Sequence, residues 1–174
     1  MIRNDSSTHA FKFSALPISI ICTLVSVLGG SGPAQEGRRY QPYEDSSGVW
    51  TVCAGVTSAV TQLSRTYTAA ECQAIETRYV TSMTKAMSRC VHGAFTWYQV
   101  VAWAHFAYNV GVNAFCQSTA AKKINAGEQL AACAEITKWV YVDGKDCRNQ
   151  SNNCTGIVVR RAWERALCEK GILQ

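Results

Sequence analysis

Apolar positions along the chain follow three different spacings. Phe13–Gln35 carries no charge, and its Ala15–Leu28 stretch, rich in Ile, Leu and Val, forms one continuous apolar run behind Arg3 and Lys12. Val49-Trp50-Thr51-Val52-Cys53 has the β-branched and aromatic composition of a strand. Asp45-Ser46-Ser47-Gly48 before it is a turn tetrad, with Asp first and Gly last. Alternation predicts Val49, Thr51 and Cys53 on one face of the strand and Trp50 and Val52 on the other. Beyond the hairpin the spacing becomes helical. Thr68 with Glu71 forms a capping box, after which Cys72, Ile75, Tyr79, Met83, Ala86 and Cys90 predict a helix of about six turns. A second box, Thr96 with Gln99, opens Trp97–Val110, which is apolar nearly all round and so is predicted as a buried central helix. Further helices are predicted over Thr119–Asn125, Glu128–Val140 and Gly156–Glu169.

The predicted hairpin concentrates candidate chemistry. Carboxylates at Glu36 and Asp45 and the hydroxyl of Thr51 lie around its one tight turn, with Asp45 and Thr51 on the two arms. Glycoside hydrolysis needs a protonated carboxyl to donate to the leaving oxygen and an ionised carboxylate to activate water or attack the anomeric carbon. Glu36 and Asp45 can supply that pair, and strand alternation aims the neighbouring Glu44 away from the face of Asp45.

The string EGRRYQPYEDSSGVWT, residues 36 to 51, resembles the catalytic motif of the phage-type lysozymes, the endolysins of glycoside hydrolase family 24. Their pattern E-G-x-R-x-x-x-Y-x-D-x-x-G-x-x-T is met at Glu36, Gly37, Arg39, Tyr43, Asp45, Gly48 and Thr51. The resemblance continues in family order through YNVG at Tyr108–Gly111, ST and KKINAG within Ser118–Gly127, ACAEITKWVY at Ala132–Tyr141 and VVRRAWERALC at Val158–Cys168. It implies an α+β, lysozyme-like fold, with a small β-hairpin lobe and a larger helical lobe joined by a long helix. It further implies a muramidase with Glu36 as general acid, and with Asp45 and Thr51 orienting the attacking water in an inverting reaction. Tyr108 and Asn109 are placed beside the substrate, and Arg160 matches a family arginine that contacts the catalytic glutamate. Ala54-Gly55-Val56-Thr57 departs from the family's frequent Tyr-Gly-His-Thr. The rival function classes are a catalytically inactive wall-binding module and a membrane-active protein.

The apolar run and the cysteines set the address. Residues 1-34 read as an export segment, and the resemblance to the lambdoid phage endolysins implies a signal-arrest-release segment, an apolar signal-anchor helix, rather than a cleaved signal peptide, preceding a catalytic domain at 35-174. Gly30-Ser31-Gly32, followed by Pro33, is a poor cleavage site, and Ser, Thr, Pro and Gly within the run make it only weakly hydrophobic. The expected partners are peptidoglycan and, through residues 15–32, the host inner membrane. The expected location is therefore that membrane's periplasmic face, with release to the periplasm on activation. A net charge of +5 suits an anionic envelope, whereas isolated Arg38-Arg39 and Arg160-Arg161 pairs without a nucleic-acid motif argue against nucleic acid. A monomer is expected.

Nine cysteines without a CxxC pair suit disulfides in an oxidising compartment, with no metal or other cofactor expected. Setting Cys22 aside as a small apolar filler leaves eight. Sequence alone leaves their connectivity open. The expected pairs are Cys53 with Cys72, Cys90 with Cys116, Cys133 with Cys168 and Cys147 with Cys154, the last closing the polar insert CRNQSNNC.

Overall fold

The Asp45–Gly48 turn closes as its composition demands: Gly48 N donates to Asp45 O at 3.0 Å, and Gly48 takes a φ of +74°, where a Cβ would be strained. This is a computed structural model, and it describes residues 10–29, 37–45, 48–57 and 63–172. Glu36, Ser46, Ser47 and the segment boundary expected at residue 34 lie outside those residues. The chain divides into two units, one holding Pro17–Met83 and the other the residues up to Leu16 with those from Thr84 onward.

The Pro17–Met83 unit contains helix α1 (Ile18–Gly29), the antiparallel strands β1 (Arg39–Glu44) and β2 (Trp50–Cys53), and most of helix α2 (Ala69–Met87). In α1, Ile20, Ile21, Leu24, Val25 and Leu28 share a buried face, while Ile18 and Cys22 are exposed. Thr23 and Ser26 donate their hydroxyls to Ser19 O and Cys22 O, so their polar atoms are satisfied within the helix. Among the described residues no helix is long and apolar enough to cross a membrane. The expected Thr68–Glu71 capping box opens α2, with Thr68 N donating to Glu71 Oε2 at 2.8 Å and Glu71 N to Thr68 Oγ1 at 3.2 Å.

Two features of α2 correct the sequence expectation. Its last helical residue is Met87, and Cys90 lies in the turn beyond. Its buried stripe is Cys72, Glu76, Val80, Met83, Thr84 and Met87, with Ile75, Tyr79 and Ala86 only half-buried at its edge. The stripe is rotated because a charged residue, Glu76, takes an inward position that an apolar template cannot assign.

The second unit is built on α3 (Trp97–Val110), where every residue from Gln99 to Ala107 is buried. Thr96 and Gln99 close the expected capping box at its start. Short helices α4 (Val112–Gln117), α5 (Thr119–Asn125) and α6 (Gln129–Glu135) follow, and α7 (Thr155–Lys170) packs along α3. Trp103, Phe106, Phe115 and Trp139 form its aromatic core, with ring centroids 5.6–6.2 Å apart in the tilted and edge-on geometries that ring quadrupoles favour. The helix expected to reach Val140 instead stops at Glu135, passes through one 3₁₀ turn at Ile136–Lys138 and becomes extended. Val140 O is taken by Cys147 N at 2.8 Å, which draws this end of the chain toward the hairpin of β3 (Tyr141–Val142) and β4 (Lys145–Asp146).

Disulfides join Cys53 to Cys72, Cys90 to Cys116, Cys133 to Cys168 and Cys147 to Cys154, which coincide with the expected pairs. Cys22 is a free thiol.

Candidate active site

Asp45 is held at the mouth of the first hairpin by its own turn. Its amide donates to Val49 O at 3.0 Å, and its Oδ1 accepts from Val49 N at 2.9 Å, so backbone and side chain are fixed by one residue of the opposite arm. Thr51 stands across from Tyr43 in the strand register, 2% exposed, and its hydroxyl donates to Tyr43 O at 3.2 Å. Glu44 is exposed and pairs with Trp50 on the outward side. The motif residues Arg39 and Tyr43 stack, with the guanidinium 4.3 Å from the ring centroid.

Simple alternation fails along β2. Val49, expected beside Thr51 and Cys53, is exposed, whereas Thr51, Val52 and Cys53 are buried in succession. The cause is local. Cys53 takes a φ of +59°, and Val52 exchanges backbone hydrogen bonds with Val56 at 2.9 and 3.1 Å, so the strand ends in a tight turn. Cys53 then reaches Cys72 on α2, and Val52 joins a small core with Tyr67 and Cys72.

A brace absent from the sequence reading fixes this hairpin to α2. Glu76, 3% exposed, accepts from Arg38 Nε at 2.9 Å and Arg38 Nη2 at 2.5 Å, and also from Ala54 N at 3.1 Å. One carboxylate therefore holds the chain on both sides of the hairpin, at the entry to β1 and just past the end of β2. Hydrogen bonding to Glu76 raises the pKa of Arg38, which keeps the guanidinium charged. Ligand-type atoms of Cys53, Cys72 and Glu76 lie within 4.8 Å of one another. The two sulfurs are spent in a disulfide and the carboxylate on Arg38, so the cluster works as a structural clamp.

In the second unit Tyr108 and Asn109 are half-buried at the end of α3, and Arg160 is half-buried on α7. The neighbouring arginine, Arg161, carries the network there. It is 2% exposed and donates Nε to Trp139 O at 3.0 Å, Nη1 to Glu164 Oε2 at 2.7 Å and Nη2 to Asn109 Oδ1. Glu164, wholly buried, is also 2.6 Å from His105 Nδ1. Buried charges persist only when paired and hydrogen-bonded, and Glu164 is bonded to both Arg161 and His105. A sequence signal for Arg161 existed: it lies three residues before Glu164 and seven before Cys168, on the buried stripe of α7.

Residues 33–164 match the phage lysozyme family. The chain belongs to that family. It is 34% identical over 151 residues to the "SAR-endolysin" of Enterobacteria phage P21, covering 86% of this chain and 87% of that protein. A mutant P22 lysozyme shares the fold with a TM-score of 0.66 and 26% identity, over 86% of this chain and 94% of that one. The active form of P1 phage endolysin Lyz has a TM-score of 0.68 at 22% identity, over 91% and 97% of the two chains. The lysozyme-like α+β fold and the endolysin class expected from the sequence both hold. The chain is a muramidase hydrolase that acts on peptidoglycan.

Proposed function

We propose that the chain is a signal-arrest-release endolysin that cleaves the β-1,4 bond between N-acetylmuramic acid and N-acetylglucosamine with inversion, lysing the host from the periplasm. Glu36 gives its proton to the leaving glycosidic oxygen as the bond to the anomeric carbon breaks. Water attacks the opposite face of that carbon, and Asp45 takes the water's proton while Thr51 orients it. The observation that carries this reading is the fixing of Asp45 and Thr51 on a hairpin locked by its own turn and by Glu76. A general base has to sit within hydrogen-bond reach of one defined water, so it needs such rigidity. Tyr108 and Asn109 contact the glycan, and Arg160 orients Glu36.

Residues 15–32 hold the enzyme at the inner membrane until release. The internally bonded hydroxyls of α1 support this, because a segment with few unsatisfied polar groups pays little in either lipid or protein. Its one-sided buried face supports a released state in which α1 packs on protein. The released enzyme acts as a monomer. Proton NMR of fresh digests tests the chemistry: the inverted anomer should appear first, and a retained anomer would demand a covalent Asp45 intermediate. Fractionation around uncoupler treatment tests the tether. Full-length protein should move from membrane to periplasm, whereas a shortened species at the outset would mean signal cleavage instead.

A further inference from the structure

The Tyr141–Thr155 segment, with its Cys147–Cys154 loop, carries a rigid, exposed and polar surface that the catalytic scheme leaves unused. Its hairpin turns at Asp143-Gly144, where both residues have positive φ, 49° and 75°, as a tight two-residue hairpin turn requires. Asp146 accepts from the backbone and guanidinium of Arg148, and its carbonyl accepts from Asn152 Nδ2 at 2.8 Å. Asn149 Oδ1 accepts from both the amide and the hydroxyl of Ser151. The disulfide closes the loop. The side chains of Tyr141, Asp146, Arg148, Asn149 and Asn152 are therefore held before binding, which lowers the ordering cost of binding at a small surface.

The chemistry of the surface is specific. Tyr141 is 57% exposed, yet its hydroxyl accepts from Arg148 Nη2 at 2.9 Å and the guanidinium carbon lies 5.7 Å from its ring centroid. An aromatic ring held in one orientation with more than half its surface in water is a stacking platform. The same segment carries Asn149, Gln150 and Asn153, exposed amides that both donate and accept. Charge is balanced here, since Lys145 and Arg148 offset Asp143 and Asp146, although the whole chain carries +5. An anionic polymer would favour a cationic patch. A neutral ligand with apolar ring faces, hydroxyls and amides fits this one, and that is the chemistry of an N-acetylhexosamine chain.

The segment is also joined to the Asn109 end of its own unit. Trp139 O, two residues before Tyr141, accepts from Arg161, which holds Asn109. We propose that the Tyr141–Thr155 segment is an accessory glycan-binding surface, with Tyr141 as its platform and Gln150 and Asn153 as hydrogen-bonding partners, that engages peptidoglycan strands beyond the sugars bound for cleavage. The inference rests on the muramidase reading for its ligand.

The test uses the full-length chain with Tyr141→Ala, Tyr141→Trp and the pair Gln150→Ala with Asn153→Ala. Activity is measured on intact sacculi and on a short soluble oligosaccharide of the same repeat. Tyr141→Ala should raise KM on sacculi about tenfold, the scale of a central aromatic contact, with kcat and short-substrate turnover unchanged. Tyr141→Trp should restore the wild-type KM, and the amide pair should raise it severalfold. An equal loss on both substrates, or no loss on either, would overturn the proposal. Sedimentation with sacculi in a Glu36→Gln background separates this inference from the enzymatic reading, because binding is then scored without turnover. Binding that depends on Tyr141 and survives 0.5 M salt, about three times physiological strength, supports a neutral glycan. Binding abolished by salt would instead identify an anionic wall polymer and overturn it.

Discussion

Glu76→Gln removes the charge and one oxygen acceptor from the carboxylate that ties Arg38 and Ala54 to α2. The wild-type group accepts three hydrogen bonds, two of them from a guanidinium at 2.9 and 2.5 Å. A hydrogen bond to a charged group contributes about 1.5 to 3 kcal/mol. Breaking a fully buried ion pair costs about 3 to 5 kcal/mol, but Arg38 is one-quarter exposed, so water compensates part of that loss. Gln keeps Oε1 for both Ala54 N and Arg38 Nε, while its amide nitrogen replaces the Oε2 acceptor and faces Arg38 Nη2 unfavourably. The expected loss is about 2 to 3 kcal/mol, which for a domain of this size lowers Tm by about 4 to 12 °C. Glu76→Ala also leaves Ala54 N without its acceptor and should lose about 3 to 5 kcal/mol. Urea and thermal unfolding followed by circular dichroism measure both. Because the brace lies on both sides of the hairpin holding Asp45 and Thr51, kcat of the Gln variant should also fall well below its Tm. A Glu76→Gln protein within about 0.5 kcal/mol of wild type, with normal kcat, would refute the reasoning.

Thiol titration of oxidised native protein should find Cys22 alone reactive, and reduction should lower stability greatly, since each bridge typically contributes about 2 to 5 kcal/mol. Arg161→Met leaves the wholly buried Glu164 with His105 and removes the donor to Asn109; urea unfolding should show a loss of about 3 to 5 kcal/mol, much of it recovered in the Arg161→Met, Glu164→Leu pair. Asp146 has its pKa lowered from 3.8 to about 2, first by hydrogen bonds from the Arg148 side chain, so its contribution is full above about pH 4 and lost as pH falls through about 2. Acid titration of wild type against Asp146→Asn should therefore show two stability curves that converge only in that acid window, and more weakly in high salt.

Local signals made much of the fold legible. The Thr96 and Gln99 box marked the start of α3, and an apolar sequence on all sides marked its burial. The Asp45 to Gly48 tetrad marked the hairpin turn. Apolar periodicity, however, misses a charged residue that folds inward. Glu76 occupies the buried stripe of α2 because Arg38, far away in sequence, neutralises it, and no local pattern announces such a partner. Arg161 was hidden for a related reason: motif matching favoured Arg160, whereas counting back along the α7 stripe from Cys168 through Glu164 singles out Arg161. Alternation along β2 failed where a left-handed Cys53 and the Val52–Val56 turn end the strand, a local irregularity that a period-two pattern does not encode.

The central claim is that this chain cuts glycan strands with Glu36 as the acid. Reducing-end analysis of purified peptidoglycan, digested by the wild type and by Glu36→Gln at matched fold and concentration, tests it most directly. New N-acetylmuramic acid reducing ends should accumulate with the wild type and be lost by a factor of at least about 100 with the variant, the low end of what a general acid contributes. Comparable release by Glu36→Gln, or ends at N-acetylglucosamine instead, would contradict it.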